Sequence, residues 1–119
     1  MSLESDIFST ATLPDGTHVI EVVGEIDSSS APALQRVLIA ALSEGHERVV
    51  LDLSTVSFMD SSGVGAVMAG YAEARIRDAR LAVACGESHA AQRLRMMGLD
   101  AVLDVSDDRD QALARVRSG

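Results

Sequence analysis

The sequence predicts one α/β domain over residues 1–119, built on a single mixed sheet of about five strands with about four helices packed mainly on one face. Segments of strand character alternate with segments of helical spacing in the order ββαβαβαβα, which is typical of a sheet covered by helices. The chain has 119 residues, of which 47% are hydrophobic, enough for one core and too few for two. Neither a repeat nor a low-complexity linker divides it.

A hairpin is predicted at the amino-terminal end. Residues 6–12 carry β-favouring side chains, and residues 18–23 read as a strand that ends in the run GEID at 24–27. Between them lies Pro14-Asp15-Gly16, in which proline presets φ and glycine accepts a positive φ.

The first helix is predicted over residues 31–43. The serines at 28–30 precede Pro32 and are expected to cap this helix, and Gly45 is expected to close it. Its apolar residues recur at helical spacing: Leu34, Val37, Leu38, Ala41 and Leu42.

The middle of the chain predicts a central strand followed by a second helix. Residues 48–53 are nearly continuous in apolar side chains, as in a strand covered on both faces. Residues 54–59 are interpreted as a connecting loop. The helix starts at Ser61 and turns four larger side chains toward the core: Val64, Val67, Met68 and Tyr71.

The last third of the chain predicts two more strands and two more helices. A buried strand at 81–84 leads to Cys85, expected to be a small buried hydrophobe, and then to a helix at 88–97 that Gly98 stops. A short edge strand follows at 101–105, and residues 106–108 cap the final helix.

Composition excludes several classes of partner. The formal net charge of −8 repels nucleic-acid phosphates and anionic membranes, so neither is expected to bind. With no Trp, two Phe and one Tyr, the chain has too few rings for a base-stacking platform. The amino terminus has no apolar signal region and the chain has one cysteine, so we expect a soluble cytoplasmic protein.

The candidate functional residues lie at the start of the second helix. Asp60 and Ser61 stand just before the helical periodicity begins, where the first four backbone N–H groups lack helical partners and tolerate an anion. Gly63 and Gly65 keep that end free of bulk. A serine hydroxyl there is exposed at the carboxyl end of a buried strand, where partner sites of α/β sheets tend to lie.

A stripe of small residues continues from this serine. Ser61, Gly65 and Ala69 share one side of the helix at four-residue spacing. Two interpretations stay open at this point: the small residues, Ala66 and Gly70 among them, pack against the protein's own sheet, or they form an outward face that another backbone approaches.

Catalysis and cofactors are not expected. The three histidines, His18, His46 and His89, show no metal-ligand spacing, and neither G-x-S-x-G nor a Walker A loop is present. No pattern places a base beside Ser61, so the chain is predicted not to be an enzyme.

Several motifs together resemble a known family. The run DSSGVG at 60–65, preceded by LDL at 51–53 and FM at 58–59, resembles the signature of bacterial anti-sigma factor antagonists, STAS-domain proteins of the SpoIIAA and RsbV type. The runs GEID at 24–27 and GLD at 98–100 resemble two further landmarks of that family. The resemblance extends from Asp6 to Val116.

This resemblance implies a partner-switching regulator of transcription. In the family, a GHKL-type anti-sigma factor serine kinase phosphorylates the first serine after the aspartate, here Ser61, and a PP2C-type phosphatase restores it. The unphosphorylated form binds the kinase and frees the sigma factor. The partner-binding residues implied for this chain surround that serine: Asp27, Asp60, Ser61, Ser62, Gly63, Gly65 and Ala69.

Alternatives remain at the level of the sequence. Asp27 and Asp60 are also interpretable as turn and capping residues, and the choice between Ser61 and Ser62 depends on the family pattern. The fold and the DSSG turn also occur in accessory subunits of lipid ABC transporters and in stressosome scaffolds.

Overall fold

A computed structural model describes residues 7–118 of the chain. Its five strands form one sheet in the order β1-β2-β3-β4-β5, in which the β1–β2 pair is antiparallel and the other three pairs are parallel. The strands are β1 Phe8–Thr12, β2 His18–Ile26, β3 Arg48–Met59, β4 Arg80–Ala84 and β5 Asp104–Ser106. The helices are α1 Ala31–Ser43, α2 Ser61–Ile76, α3 His89–Met96 and α4 Arg109–Arg117, with a 3₁₀ turn at Leu99–Ala101.

The predicted fold class and element order are confirmed. The hairpin forms as expected, with Phe8 opposite Val22 and Thr12 opposite His18. Asp6, where the first strand was predicted to begin, lies outside the described residues. Helix α1 has the predicted bounds, and Gly45 follows it with a φ of +95°, a conformation that glycine adopts without strain.

The helices cover the two faces of the sheet unequally. Helices α1, α2 and α3 pack on one face over a large aliphatic core that also holds Cys85, buried as predicted. On the other face α4 alone, among residues 7–118, packs its Ala112 and Val116 on a smaller cluster with Val19, Val50 and Ala82. Burial raises the pKa of the Cys85 thiol to about 12, so this thiol is not a reactive one.

The predicted loop at 54–59 is wrong, because β3 continues through it to Met59. Residues Thr55 to Met59 pair with Val23 to Ile26 of β2, with one register shift between Glu21 and Val23 and another between Gly24 and Glu25. These irregularities break the strict alternation of buried and exposed side chains. Together with the polar residues Ser54, Thr55 and Ser57, they leave no strand pattern in this part of the sequence.

The last strand begins later than predicted. In place of a strand from residue 101, the chain makes the 3₁₀ turn, in which the N–H groups of Val102 and Leu103 both donate to the Leu99 carbonyl. Strand β5 begins at Asp104. Val102 is half exposed, so the apolar run that suggested a strand is not buried along its length.

Helix α4 is tied to the sheet by Arg109. Its Nε donates to the Asp52 carboxylate at 2.9 Å, and its Nη2 donates to Glu21 at 3.0 Å. Burial by itself would raise the pKa of Asp52, but hydrogen bonds from Ser54 and the charge of Arg109 outweigh it, so this pKa lies below its ordinary value. Asp52 therefore has a structural role.

Replacing Arg109 is expected to destabilise the fold in a pH-dependent way. Arg109→Met keeps the apolar stem but leaves the largely buried Asp52 carboxylate without its cation, at a cost of about 1–2 kcal/mol near pH 7. Because the pKa of Asp52 is lowered in the folded state, its contribution is complete above the unfolded pKa and is lost as pH falls through the folded one.

Urea unfolding of both proteins from pH 7 down to pH 3 measures this difference. The difference between the two stabilities should begin to shrink as pH falls below about 4 and should continue to shrink toward pH 3. A difference that stays constant down to pH 3 would assign the effect to packing rather than to the ion pair.

Candidate functional site

Two aspartates lie side by side at the carboxyl edge of the sheet. Ile26 and Met59 are register partners at the ends of β2 and β3, and the Asp60 N–H donates to the Ile26 carbonyl at 3.2 Å. Asp27 and Asp60 are therefore the next residues after two adjacent parallel strands. This is the edge at which α/β sheets present their binding sites.

Asp60 caps α2. Its Oδ1 accepts hydrogen bonds from the Ser62 N–H at 2.9 Å and the Gly63 N–H at 3.2 Å. Together with the bond from the Asp60 N–H to Ile26, three of the first four N–H groups of this helix have partners. The helix start therefore accepts an anion, as the sequence indicated, but that anion is the Asp60 carboxylate, which leaves fewer N–H groups open to another.

Ser61 is the first residue of α2, after the cap. Its side chain is exposed, and among residues 7–118 its hydroxyl has no hydrogen-bond partner. The helix is capped by Asp60 and not by Ser61. Ser62 is exposed beside it. Both hydroxyls are thus accessible, and the geometry leaves Ser61 free of any structural role.

Gly63 is buried beneath this surface. A Cβ added to it would lie 2.8 Å from Ile26 Cγ2 and 2.8 Å from Met59 Cγ, so no larger residue fits without displacement. The glycine lets the first turn of α2 sit directly on the ends of β2 and β3. Its place in the motif thus has a packing reason, and it offers no side chain to a partner.

The two interpretations of the small residues are each right for part of the helix. Ala66 is buried, and so is Gly70, whose Cβ would meet Leu38 of α1 at 2.8 Å. Gly65 is exposed with no described atom within 4 Å of an added Cβ, and Ala69 is half-buried. The outward stripe of Ser61, Gly65 and Ala69 is therefore present, and the other small residues allow α2 to approach α1.

Asp27 organises the turn into α1. Its Oδ1 accepts from the Ser29 hydroxyl at 2.6 Å and the Ser29 N–H at 2.9 Å, and these bonds hold the pKa of the carboxyl below its ordinary value. Ser30 occupies the cap position, but its hydroxyl donates to the Glu25 carbonyl and accepts from the Asp27 N–H instead of capping α1. The expected serine cap is wrong, since the side chain closes the turn.

The structure adds His89, which sequence patterns did not connect with this site. Its Nδ1 accepts a hydrogen bond from the Met59 N–H at 2.8 Å, and its ring stacks on Phe58 with centroids 5.1 Å apart. Met59 and His89 are 30 positions apart in the chain. A histidine at the start of a predicted helix carries no sequence signal for such a contact.

The other two histidines form a stacked pair at the opposite end of the sheet. The rings of His18 and His46 are 4.2 Å apart, and burial together with the neighbouring His46 lowers the pKa of His18. Over residues 7–118, no group of three or more His, Cys, Asp or Glu side chains could hold a metal ion. Within the same residues, no helix has the length and apolar character needed to span a membrane.

The family model of the STAS domain matches residues 9–112 of the chain. The chain belongs to the STAS domain family. The match covers all of the sheet except Phe8 and reaches into α4. It confirms the resemblance stated from the sequence motifs.

Relatives of this STAS domain carry the names of regulatory proteins. It is 29% identical over 119 residues to the anti-sigma-F factor antagonist RsfB of Mycobacterium tuberculosis, covering all of this chain and 97% of that protein. An anti-sigma factor antagonist from Mycobacterium paratuberculosis has a crystal structure with 29% identity and a TM-score of 0.82, covering 98% of both chains. These names are in keeping with the prediction that the chain is not an enzyme.

The fold is also that of SpoIIAA in two states. The unphosphorylated anti-sigma factor antagonist SpoIIAA is 24% identical, with a TM-score of 0.75, and covers 92% of this chain and 96% of its own. The phosphorylated form of the Bacillus cell fate determinant SpoIIAA has a TM-score of 0.70 at the same identity, covering 92% and 99%. At this level of identity the similarity establishes the fold.

Proposed function

We propose that this STAS domain is a cytoplasmic anti-sigma factor antagonist that phosphorylation at Ser61 switches off. The observation that carries the proposal is the exposed hydroxyl of Ser61, which has no hydrogen-bond partner within residues 7–118 and lies at the carboxyl edge of the sheet on the outward stripe of α2. The relatives named as anti-sigma factor antagonists support the class of function.

The unphosphorylated surface suits a protein partner. Ser61, Gly65 and Ala69 have side chains of at most two heavy atoms, so a partner's backbone can approach α2 closely along this stripe. Phe58, two residues before Asp60, is 39% exposed and adds apolar area. The chain's net charge of −8 favours a partner with a basic surface.

Phosphorylation would place a second anionic group next to an existing one. A phosphoserine carries about −1.5 to −2 charges at pH 7. The Asp60 carboxylate already accepts two N–H groups of the helix start, so few donors remain to stabilise a phosphate in an interface. Asp27, after the neighbouring strand, adds further negative charge. Desolvating this cluster against a partner is unfavourable, so the partner dissociates.

The switch requires no refolding. The Ser61 hydroxyl has no partner among the described residues, so adding a group to it breaks no internal hydrogen bond. Both states of SpoIIAA have the fold of this chain, which supports a change of surface charge alone. The partners proposed on the family pattern are a GHKL-type serine kinase that is also the anti-sigma factor, and a PP2C-type phosphatase.

Incubation with ATP and candidate GHKL-type kinases of the same organism tests the site. We expect mass spectrometry to place one phosphate on Ser61. Ser61→Ala should abolish the modification, and the matched control Ser62→Ala should retain it, because only its neighbour is the substrate. Phosphate on Ser62 of the wild-type chain, or none with any such kinase, would overturn the proposal.

A further inference from the structure

We propose that His89 is a positioning residue for Ser61. Its imidazole Nδ1 accepts a hydrogen bond from Met59, the last residue of β3, and thereby fixes the strand end from which the chain continues through Asp60 to Ser61. The inference rests on the proposed function, since it assigns a role in presenting Ser61 to the kinase. The hydrogen bond from Met59 to His89 lies two residues from Ser61 in the chain, with Asp60 between them.

Within residues 7–118, the end of β3 has no neighbouring strand on one side. Pairing between β3 and β4 stops at Asp52 opposite Ala84, whereas β3 runs on to Met59. Past Asp52 its paired neighbour is β2, through Thr55 to Met59. The Met59 N–H is therefore satisfied by a side chain, the His89 ring, at 2.8 Å. Since Met59 is fully buried, water is not available to replace that acceptor.

The hydrogen bond specifies the state of the imidazole. A backbone N–H can only donate, so Nδ1 must carry a lone pair, and the neutral ring then has its proton on Nε2. A protonated ring has no acceptor. The contact therefore requires a neutral hydrogen-bond acceptor at this position, which neither an aliphatic nor a purely aromatic side chain supplies.

His89 is itself held rigidly. Ser88 caps α3 through the Ala91 N–H, and Ala90, Ala91 and Leu94 are buried in the large core. The nearly parallel stacking of the ring on Phe58, at 15°, fixes its orientation on the other side. Helix α3 thereby fixes the position of Met59 through His89. Because Met59 directly precedes Asp60 and Ser61, this contact also orients the Ser61 side chain.

Two substitutions separate the hydrogen bond from the stacking. His89→Phe keeps a flat ring against Phe58 but removes the acceptor. His89→Asn places its Oδ1 near the position of Nδ1 and removes the ring. A positioning role requires that the asparagine variant behaves like the wild type and that the phenylalanine variant does not.

Hydrogen exchange and kinase kinetics provide the readouts. In His89→Phe we expect the Met59 amide to exchange about tenfold faster, the factor for loss of one hydrogen bond, with α1 amides unchanged. Phosphorylation of Ser61 should show a kcat lowered by about fivefold or more and a KM changed less, because a displaced hydroxyl affects the transfer step more than docking. His89→Asn should restore both values to within about twofold.

The outcomes distinguish the inference from the proposed function. Normal Ser61 phosphorylation in His89→Phe overturns the inference alone, and so does equal impairment of both variants, which would indicate a packing role. A wild-type chain that no kinase modifies overturns the proposed function and, with it, the role of His89 in presenting Ser61.

Discussion

Ser61→Asp is expected to weaken binding to the anti-sigma factor by about tenfold or more, and phosphorylation itself by about a hundredfold. A carboxylate at this position lies next to Asp60 and near Asp27, and an interface would have to desolvate all three. Penalties of 2–5 kcal/mol are typical for unpaired charge in an interface, and about 1.4 kcal/mol corresponds to tenfold. Isothermal titration calorimetry with the purified anti-sigma factor measures the change.

Neutral replacements provide the controls for this prediction. Ser61→Asn has nearly the size of aspartate without its charge and should bind within a few-fold of the wild type, as should Ser61→Ala. Ser62→Asp tests the neighbouring hydroxyl and should have a smaller effect. If Ser61→Asn weakens binding as much as Ser61→Asp, bulk rather than charge operates the switch and the electrostatic mechanism is wrong.

The two glycines of the motif are expected to respond to alanine with opposite signs. Gly63→Ala forces a methyl group to within 2.8 Å of Ile26 and Met59, and overpacking of this kind costs about 1–3 kcal/mol. Part of that cost is offset by the better helix propensity of alanine, about 1 kcal/mol. Gly65→Ala meets no described atom within 4 Å and should therefore stabilise the chain by up to about 1 kcal/mol.

Chemical denaturation of the two variants measures these free energies of unfolding, and partner binding adds a second comparison. Gly65→Ala should bind the anti-sigma factor more weakly despite its greater stability, because its methyl group stands on the outward stripe. If Gly63→Ala instead raises the free energy of unfolding, Ile26 and Met59 can move aside for the methyl group and the expected overpacking is wrong. Unchanged binding by Gly65→Ala would exclude that stripe from the interface.

Local chemistry explains where sequence analysis succeeded and where it did not. The bounds of α1 followed from helical spacing and from the glycine after it, both of which act within a few residues. The extension of β3 to Met59 was missed because its pairing with β2 is irregular and its exposed residues are polar. A strand is stabilised by its neighbour, and the neighbour is remote in sequence.

At the candidate site, too, the sequence predicted the position of the motif but not its side-chain contacts. Motif residues Asp60 and Ser61 were placed correctly at a helix start, but which of them caps the helix depends on side-chain geometry. The sequence also could not say that the Asp60 carboxylate takes two of the donors expected to be open to an anion. That contact changes the electrostatics of the proposed switch, because a phosphate on Ser61 would meet an existing negative charge rather than free N–H groups.

The sequence by itself determined the fold class, the order of the elements and the position of an exposed serine at the start of α2, because periodicity, turn residues and caps are encoded within short windows. Only the tertiary structure decided that Gly63 packs on Ile26 and Met59, that Arg109 holds Asp52, and that His89 anchors β3. The two hydrogen bonds join residues 30 and 57 positions apart, and the space around Gly63 is limited by the ends of two strands. All three contacts form only when folding buries these segments against one another.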